Sequence, residues 1–181
     1  MTDDNEIHSW QSLKEACFAT LAVMNEQLAS EFPDPILQLN MVDAPLARQL
    51  GQVFHPQDPE RWVEWDWETL FHKRVKRQKA AWMFAVSVGG DFGAVCYGTI
   101  SIEAGCVSIE YLERKLDAIA LKGSAARIAI QYAEALAAYF ELAEVRVCDP
   151  DPILIEFYEQ NFGLTRQSDG DAVPYLFKKV Q

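Results

Sequence analysis

"CVSIEYLERKLDAIALKGSAARIAIQYAEALAAYF", Cys106–Phe140, changes its period halfway along. Its first nine residues, Cys106–Arg114, are rich in Val, Ile and Tyr, the pattern of a strand. From Gly123 to Phe140 the apolar residues return at three- and four-residue spacing, which predicts a long helix. At the mouth of that helix stand Lys122, Gly123, Ser124, Ala125 and Ala126. Two readings fit them. In one, Ser124 caps the helix and Gly123 makes the turn. In the other, the N–H groups from Leu121 to Ala126 are left bare as an anion site, small side chains let a phosphate approach, and Lys122 adds a point charge. The spacing of a P-loop, with its closing Gly-Lys-Ser/Thr, is not present here.

The flanks settle the fold class. Downstream, "EVRVCDP" (144–150) reads as a strand. A strand–helix–strand run of this length predicts that it lies parallel to Cys106–Arg114, joined by the helix as a crossover. A helix, "DPILIEFYEQN" (151–161), and two strands, "LTRQ" (164–167) and "PYLFKKV" (174–180) around "SDGDA", complete the chain. Upstream, "AAWMFAVSV" (80–88) and "GAVCYGTISI" (93–102) join Cys106–Arg114 as three consecutive antiparallel strands. Before them, "DPERWVEWDWETLFHKRVKRQK" (58–79) predicts a helix with Asp58 as cap, Pro59 at its first position and an end near Gln78. "ILQLNMVDAPLARQLGQVF" (36–54) predicts a short strand and a helix from near Asp43. "SLKE" (12–15) has the form of a capping box. Leu13, Cys17, Leu21, Met24 and Leu28 then recur at helical spacing, so a helix is expected from Ser12 to Glu31. The expectation is one α/β domain (an α+β mixed sheet) over residues 1–181: an antiparallel meander followed by a β-α-β crossover, with residues 1–40 as a helical N-terminal extension.

Composition narrows the function. Sixteen Lys and Arg face 27 Asp and Glu, a formal net charge of −11, which argues against general nucleic-acid binding. The cysteines Cys17, Cys96, Cys106 and Cys148 form no C-x-x-C pair and have no His at metal-ligand spacing, so no metal is expected. The start, "MTDDNEIHSW", is too acidic for a signal peptide. No apolar run approaches the ~18 residues of a membrane span. The chain reads as cytoplasmic, with reduced thiols and no membrane partner. A homodimer is left open.

The order of these elements and three local motifs resemble the GNAT acyltransferase superfamily, over about Met41 to Val180. The motifs are the meander strand "VCYGTISI" with Gly98 near its middle, the loop and helix "ALKGSAARIAIQYAEALA", similar to the family's Q/R-x-x-G-x-G/A acyl-CoA loop, and "DPILIEFYEQNFGL", similar to the helix that carries Phe-Tyr-Glu before a Gly turn. Ala120 stands where the family usually has Gln or Arg, and Asp151 where Asn is common. The resemblance implies an N-acetyltransferase with acetyl-CoA as acyl donor and an amine as acceptor. It implies acyl-CoA contacts at Leu112, Leu121, Lys122, Gly123, Ser124, Ala125 and Ala126, with the pantetheine arm in a gap where the two parallel strands splay. It also implies that Tyr158 protonates the leaving thiolate. The departure at Ala120 sustains a rival reading, a non-catalytic acyl-CoA sensor or a protein-interaction module on the same fold.

The residues carry their own chemistry. An amine must lose a proton before it attacks, so a carboxylate base is wanted, and Glu103, Glu110 and Glu113 lie on or beside the central strands. Glu110 is the first candidate; strict alternation puts it on one face with Leu112, and Glu113 on the other with Tyr111. A β-bulge would change that assignment. Tyr158 is a half-buried tyrosine or a proton donor. No Cys or Ser pairs with a His as a nucleophile, so direct attack on the thioester is favoured over an acyl-enzyme. Trp62, Trp65, Trp67, Leu70 and Phe71 read as core, or as the wall of an acceptor pocket. In the second case Glu64, Asp66 and Glu68 favour a cationic acceptor. The basic run 72–79 reads as a solvated helix end that could also meet the CoA 3′-phosphate.

Overall fold

The structure is a computed structural model that describes residues 3–59, 61, 63–77, 80–167 and 174–180, with side chains from Gln11 onward. Trp62, Lys79 and the turn "SDGDA" lie outside the described residues.

Among the described residues, seven strands form one sheet: β1 (Leu37–Met41), β2 (Ala81–Val88), β3 (Asp91–Ser101), β4 (Cys106–Arg114), β5 (Glu144–Cys148), β6 (Thr165–Gln167) and β7 (Tyr175–Lys179). Their spatial order is β1-β2-β3-β4-β5-β7-β6. β4 and β5 are parallel, as the crossover requires, and every other pair is antiparallel. The crossover helix is α4 (Ser124–Tyr139), within a residue of the expected bounds at each end. α4 packs on one face of the sheet with α1 (Asp3–Glu31), in a core that includes Trp82, Phe84, Ile109 and Tyr132. On the other face, α2 (Ala44–Val53) and α3 (Trp67–Leu70) cover a second core around Tyr97, Met83 and Val95. The last helix is α5 (Pro152–Phe162).

Two helices depart from the sequence reading. α1 runs back to Asp3, so Ser12 lies inside it and the capping box does not form. Its expected stripe holds: Leu13, Cys17, Leu21, Met24 and Leu28 are all buried. A buried leucine contributes about 1.5–3 kcal/mol, so α1 is part of the main core. Asn25 adds a polar tie to the edge strand. Its Nδ2 donates to the Leu39 carbonyl at 3.0 Å, and its Oδ1 accepts from the Leu39 N–H at 2.7 Å. The helix expected from Asp58 to Gln78 begins only at Trp67, where Asp66 accepts from the Thr69 N–H and hydroxyl. Arg61 explains the delay. Its guanidinium donates to the carbonyls of Phe54 at 2.7 Å and Trp65 at 2.8 Å, bonds that fold the segment back outside any helix. α3 then passes directly into a π-helical turn, Phe71–Val75.

Candidate active site

The parting of β4 and β5 follows from their register. Pairing runs from Cys106↔Glu144 to Ile109↔Val147 and stops, while β4 continues to Arg114. Alternate amides of the free stretch, 110–114, therefore point into a gap with no strand beside them. The gap opens at a bulge. Opposite β3, Tyr111 pairs with Tyr97 and Ile109 with Gly98, leaving Glu110 as the extra residue. Gly98 permits this contact: a Cβ there would lie 2.1 Å from the Ser108 carbonyl oxygen and 2.2 Å from Trp82 Cζ2.

The bulge overturns the alternation expected from sequence. Ile109 and Leu112 pack toward α1 and α4, while Tyr111 packs on the opposite core. Glu110 and Glu113 turn with Tyr111 to the α2–α3 face, where their partners stand. They are bound differently there. The Glu113 carboxylate accepts from Arg61 Nε, Arg61 Nη2 and Trp67 Nε1, each at 2.6 Å. The side chains of Arg61 and Glu113 are each 7% exposed. Both Glu113 oxygens are thus committed to structure. Glu110 accepts one bond, from the Thr99 hydroxyl at 2.7 Å, and its other oxygen lies 3.6 Å from Arg74 Nη1. Glu103 is exposed in the β3–β4 turn, at the end of β4 remote from the gap.

Arg74 comes from the π-turn and lies 5.8 Å from the Tyr111 ring centroid. Trp65 stacks edge-on against Tyr111 at 4.9 Å. Tyr97, beneath them, has its phenol pushed up to about 12, chiefly by burial and then by the Glu110 charge, against the opposing pull of Arg74. The tryptophan cluster divides. Trp67 is fully buried and serves the Glu113 network, whereas Trp65 is half-buried. Of the three acids that would favour a cation, Asp66 is spent as the cap of α3, Glu68 lies 3.9 Å from the exposed Arg48, and Glu64 is exposed. At the end of β5, Cys148 is half-buried; burial pushes its thiol up and a hydrogen bond with Ser108 opposes this.

Tyr158 projects from α5, which Asp151 caps through the Ile153 N–H at 2.9 Å. The ring is buried, and burial followed by the nearby Cys96 raises its phenol to about 12. Tyr158 therefore keeps its proton through the neutral range.

At the mouth of α4 the cap is Gly123, in the left-handed region at φ 78°, and no side chain bonds to it. Ser124 is the first helical residue, so the reading of Ser124 as a cap fails. The site is also narrower than 121–126. A 3₁₀ turn, Ile119–Leu121, takes the Leu121 N–H onto the Ala118 carbonyl and the Lys122 N–H onto that of Ile119. The Leu121 side chain is fully buried. That leaves the N–H groups of Gly123, Ser124, Ala125 and Ala126 without a side-chain acceptor among the described residues. A Cβ on Gly123 would meet nothing within 4 Å, so the mouth is open, and Lys122 is exposed beside it. Sequence reasoning missed Arg114, whose Nη1 donates to the carbonyls of Lys115, Leu116 and Ala118 and fixes the loop leading to the mouth. It also missed Thr99, Arg61 and Arg74.

No protein-family model and no curated sequence matches this chain. Solved structures do. An acetyltransferase of the GNAT family from Staphylococcus aureus superposes with a TM-score of 0.60 at 9% identity, over 80% of this chain and 99% of that one. PaiA N-acetyltransferase from Thermoplasma acidophilum, solved in complex with coenzyme A, gives 0.57 at 14% identity, over 79% and 98%. Campylobacter jejuni N-acetyltransferase PseH in complex with acetyl coenzyme A gives 0.54 at 14% identity, over 80% and 99%. The meander, the parallel crossover and these likenesses agree: the chain has the fold of the GNAT superfamily.

Proposed function

We propose that this protein transfers an acetyl group from acetyl-CoA to an amine by direct attack. The observation that carries the reading is the meeting of three features on one strand and its crossover: the parted β4–β5 pair, the bulge at Glu110 and the uncapped mouth of α4. PaiA and PseH were solved with coenzyme A and acetyl coenzyme A, which supports the choice of donor. The open, glycine-lined mouth fits a pyrophosphate. Four free cysteines fit a reducing, cytoplasmic setting.

Acetyl-CoA supplies an activated thioester. The chain's own groups do the rest. The N–H groups of Gly123–Ala126 and Lys122 hold the phosphates, and the free edge of β4 beyond Leu112 holds the amide arm in the gap. Glu110, directly or through a water, takes the proton that the acceptor ammonium must lose. Tyr158 gives a proton to the sulfur as the carbon–sulfur bond breaks and is reprotonated by the proton that the nitrogen sheds as it becomes an amide, so amine and thioester become amide and thiol. Such acid and base groups each contribute about 10²–10⁴-fold in rate.

Thermal melts with acetyl-CoA, desulfo-CoA and ATP test the binding half, because a ligand of the folded state raises Tm with concentration. Gly123→Glu, which adds bulk and like charge at the mouth, should abolish the shift; an unchanged affinity in a folded variant overturns the placement. Release of CoA thiol with a panel of amines tests the chemistry. Tight acetyl-CoA binding without turnover of any amine would favour the sensor reading.

A further inference from the structure

Two departures from regular backbone meet at a single ion pair. The π-turn Phe71–Val75 brings Arg74, and the β4 bulge brings Glu110. Irregularities of both kinds concentrate at functional sites, because they re-aim one side chain out of the regular lattice. The remaining charges around the pair are already matched. Glu113 is held by Arg61, Glu144 by Arg146 on the neighbouring strand, and Glu68 by Arg48, while Asp66 caps α3 with Lys73 nearby. Although the whole chain carries −11, each of these four carboxylates has a cation or N–H donors of its own.

That balance selects among acceptors. A polyamine would meet no net negative charge from these groups, and its second ammonium would stand beside the Arg74 guanidinium. A molecule with an ammonium and a carboxylate close together meets its complement. The Arg74–Glu110 contact, at 3.6 Å, is too long to be a hydrogen bond. Exchanging it for two charge-assisted bonds to a ligand therefore forfeits no hydrogen bond between the two side chains, and Arg74 keeps its bond to Tyr97. The Arg74 side chain is 41% exposed and that of Glu110 24%, so both can be reached. Thr99 fixes one Glu110 oxygen, and the Tyr111 ring supports the guanidinium plane, whose forked donors match a carboxylate. We propose that the acceptor is a small zwitterion, an α-amino acid or a close analogue, with its ammonium on Glu110 and its carboxylate on Arg74. This rests on the acetyl-transfer reading above.

The test measures both CoA-thiol release from acetyl-CoA and calorimetric binding in the presence of CoA. The probes are free amino acids, the same amino acids as C-terminal amides, and spermidine. Amidation should raise KM and Kd by about 10–100-fold, the worth of a hydrogen bond to a charged group. Arg74→Leu should remove that difference by weakening the acids alone, and Arg74→Lys should restore part of it. Amides or spermidine used as well as the acids would overturn the zwitterion and leave acetyl transfer standing. Acids that bind in an Arg74-dependent way but are never acetylated would support the zwitterion pairing and overturn acetyl transfer. Acids that fail to bind would overturn the pairing.

Discussion

Glu110 and Glu113 stand three positions apart on one strand and meet opposite fates. Glu113 is enclosed by Arg61 and Trp67, so its loss is a matter of stability. Glu113→Gln leaves the Arg61 charge uncompensated at a site 7% exposed and should cost about 3–5 kcal/mol, read as a lower urea midpoint. Replacing both partners with apolar residues of similar volume should cost less than either single change, because no buried charge is then left alone. If the double variant is the worst of the three, the network is more than an ion pair. Tyr158→Phe belongs to the other class. It keeps the ring that packs in the core and removes only the hydroxyl, so melting should barely change while turnover falls about 10²–10⁴-fold at unchanged acetyl-CoA affinity. Because its phenol is raised to about 12, any loss of rate between pH 7 and 10 must come from another group. Tyr158 could be named as a candidate from sequence because its neighbours on the chain resemble a family pattern, and Glu110 because a carboxylate on a central strand suits a base. Arg61 could not: its partner is 52 residues away, and no local spacing records such a bond.

At the scale of elements, the bulge in β4 faces residues on another strand. It stands opposite Gly98 of β3, where a Cβ would strike Trp82 and the Ser108 carbonyl, so a reading of β4 alone finds only alternation and places Glu110 and Glu113 on opposite faces. Gly98→Ala must push either the Trp82 ring or the Ser108 backbone, and an overpacked site of this kind costs about 1–3 kcal/mol. Turnover should fall further than the lost stability explains, since the same shift re-aims Glu110. Equal losses in both would show that the bulge serves packing alone. The boundaries of α2, α4 and α5 were legible because cap, glycine and proline signals act within a few residues. The start of α3 was not. Asp58 and Pro59 carry a sound local start signal, but the tertiary bonds of Arg61 outweigh it and Asp66 takes the cap.

The whole molecule holds several protons more tightly than its unfolded chain does. Burial raises Cys17 to about 11 and Tyr158 and Tyr97 to about 12, and it pushes Cys96 and Tyr132 up as well. From about pH 9 to 12 the unfolded chain releases these protons while the folded chain keeps them, so stability is full below this window and falls as pH rises through it. Melting scans from pH 7 to 12 should show the decline, and Cys17→Ala should flatten its early part. A Tm constant to pH 11 would contradict the burial of these groups. Removing residues 1–32 should likewise destroy the fold rather than trim it, because α1 covers the core and the Leu39 edge; a soluble, cooperatively melting truncation would show otherwise. The free thiols offer a way to follow the gap itself. Cys17, Cys96 and Cys106 are buried, whereas Cys148 is half-buried and hydrogen-bonded to Ser108 where β4 and β5 part. A small aromatic disulfide reagent should therefore count one early sulfur per chain and three that wait for unfolding. The rate of that first reaction becomes a clock for occupancy: saturating acetyl-CoA should slow it, and an unaltered rate would put the ligand somewhere other than between the two strands.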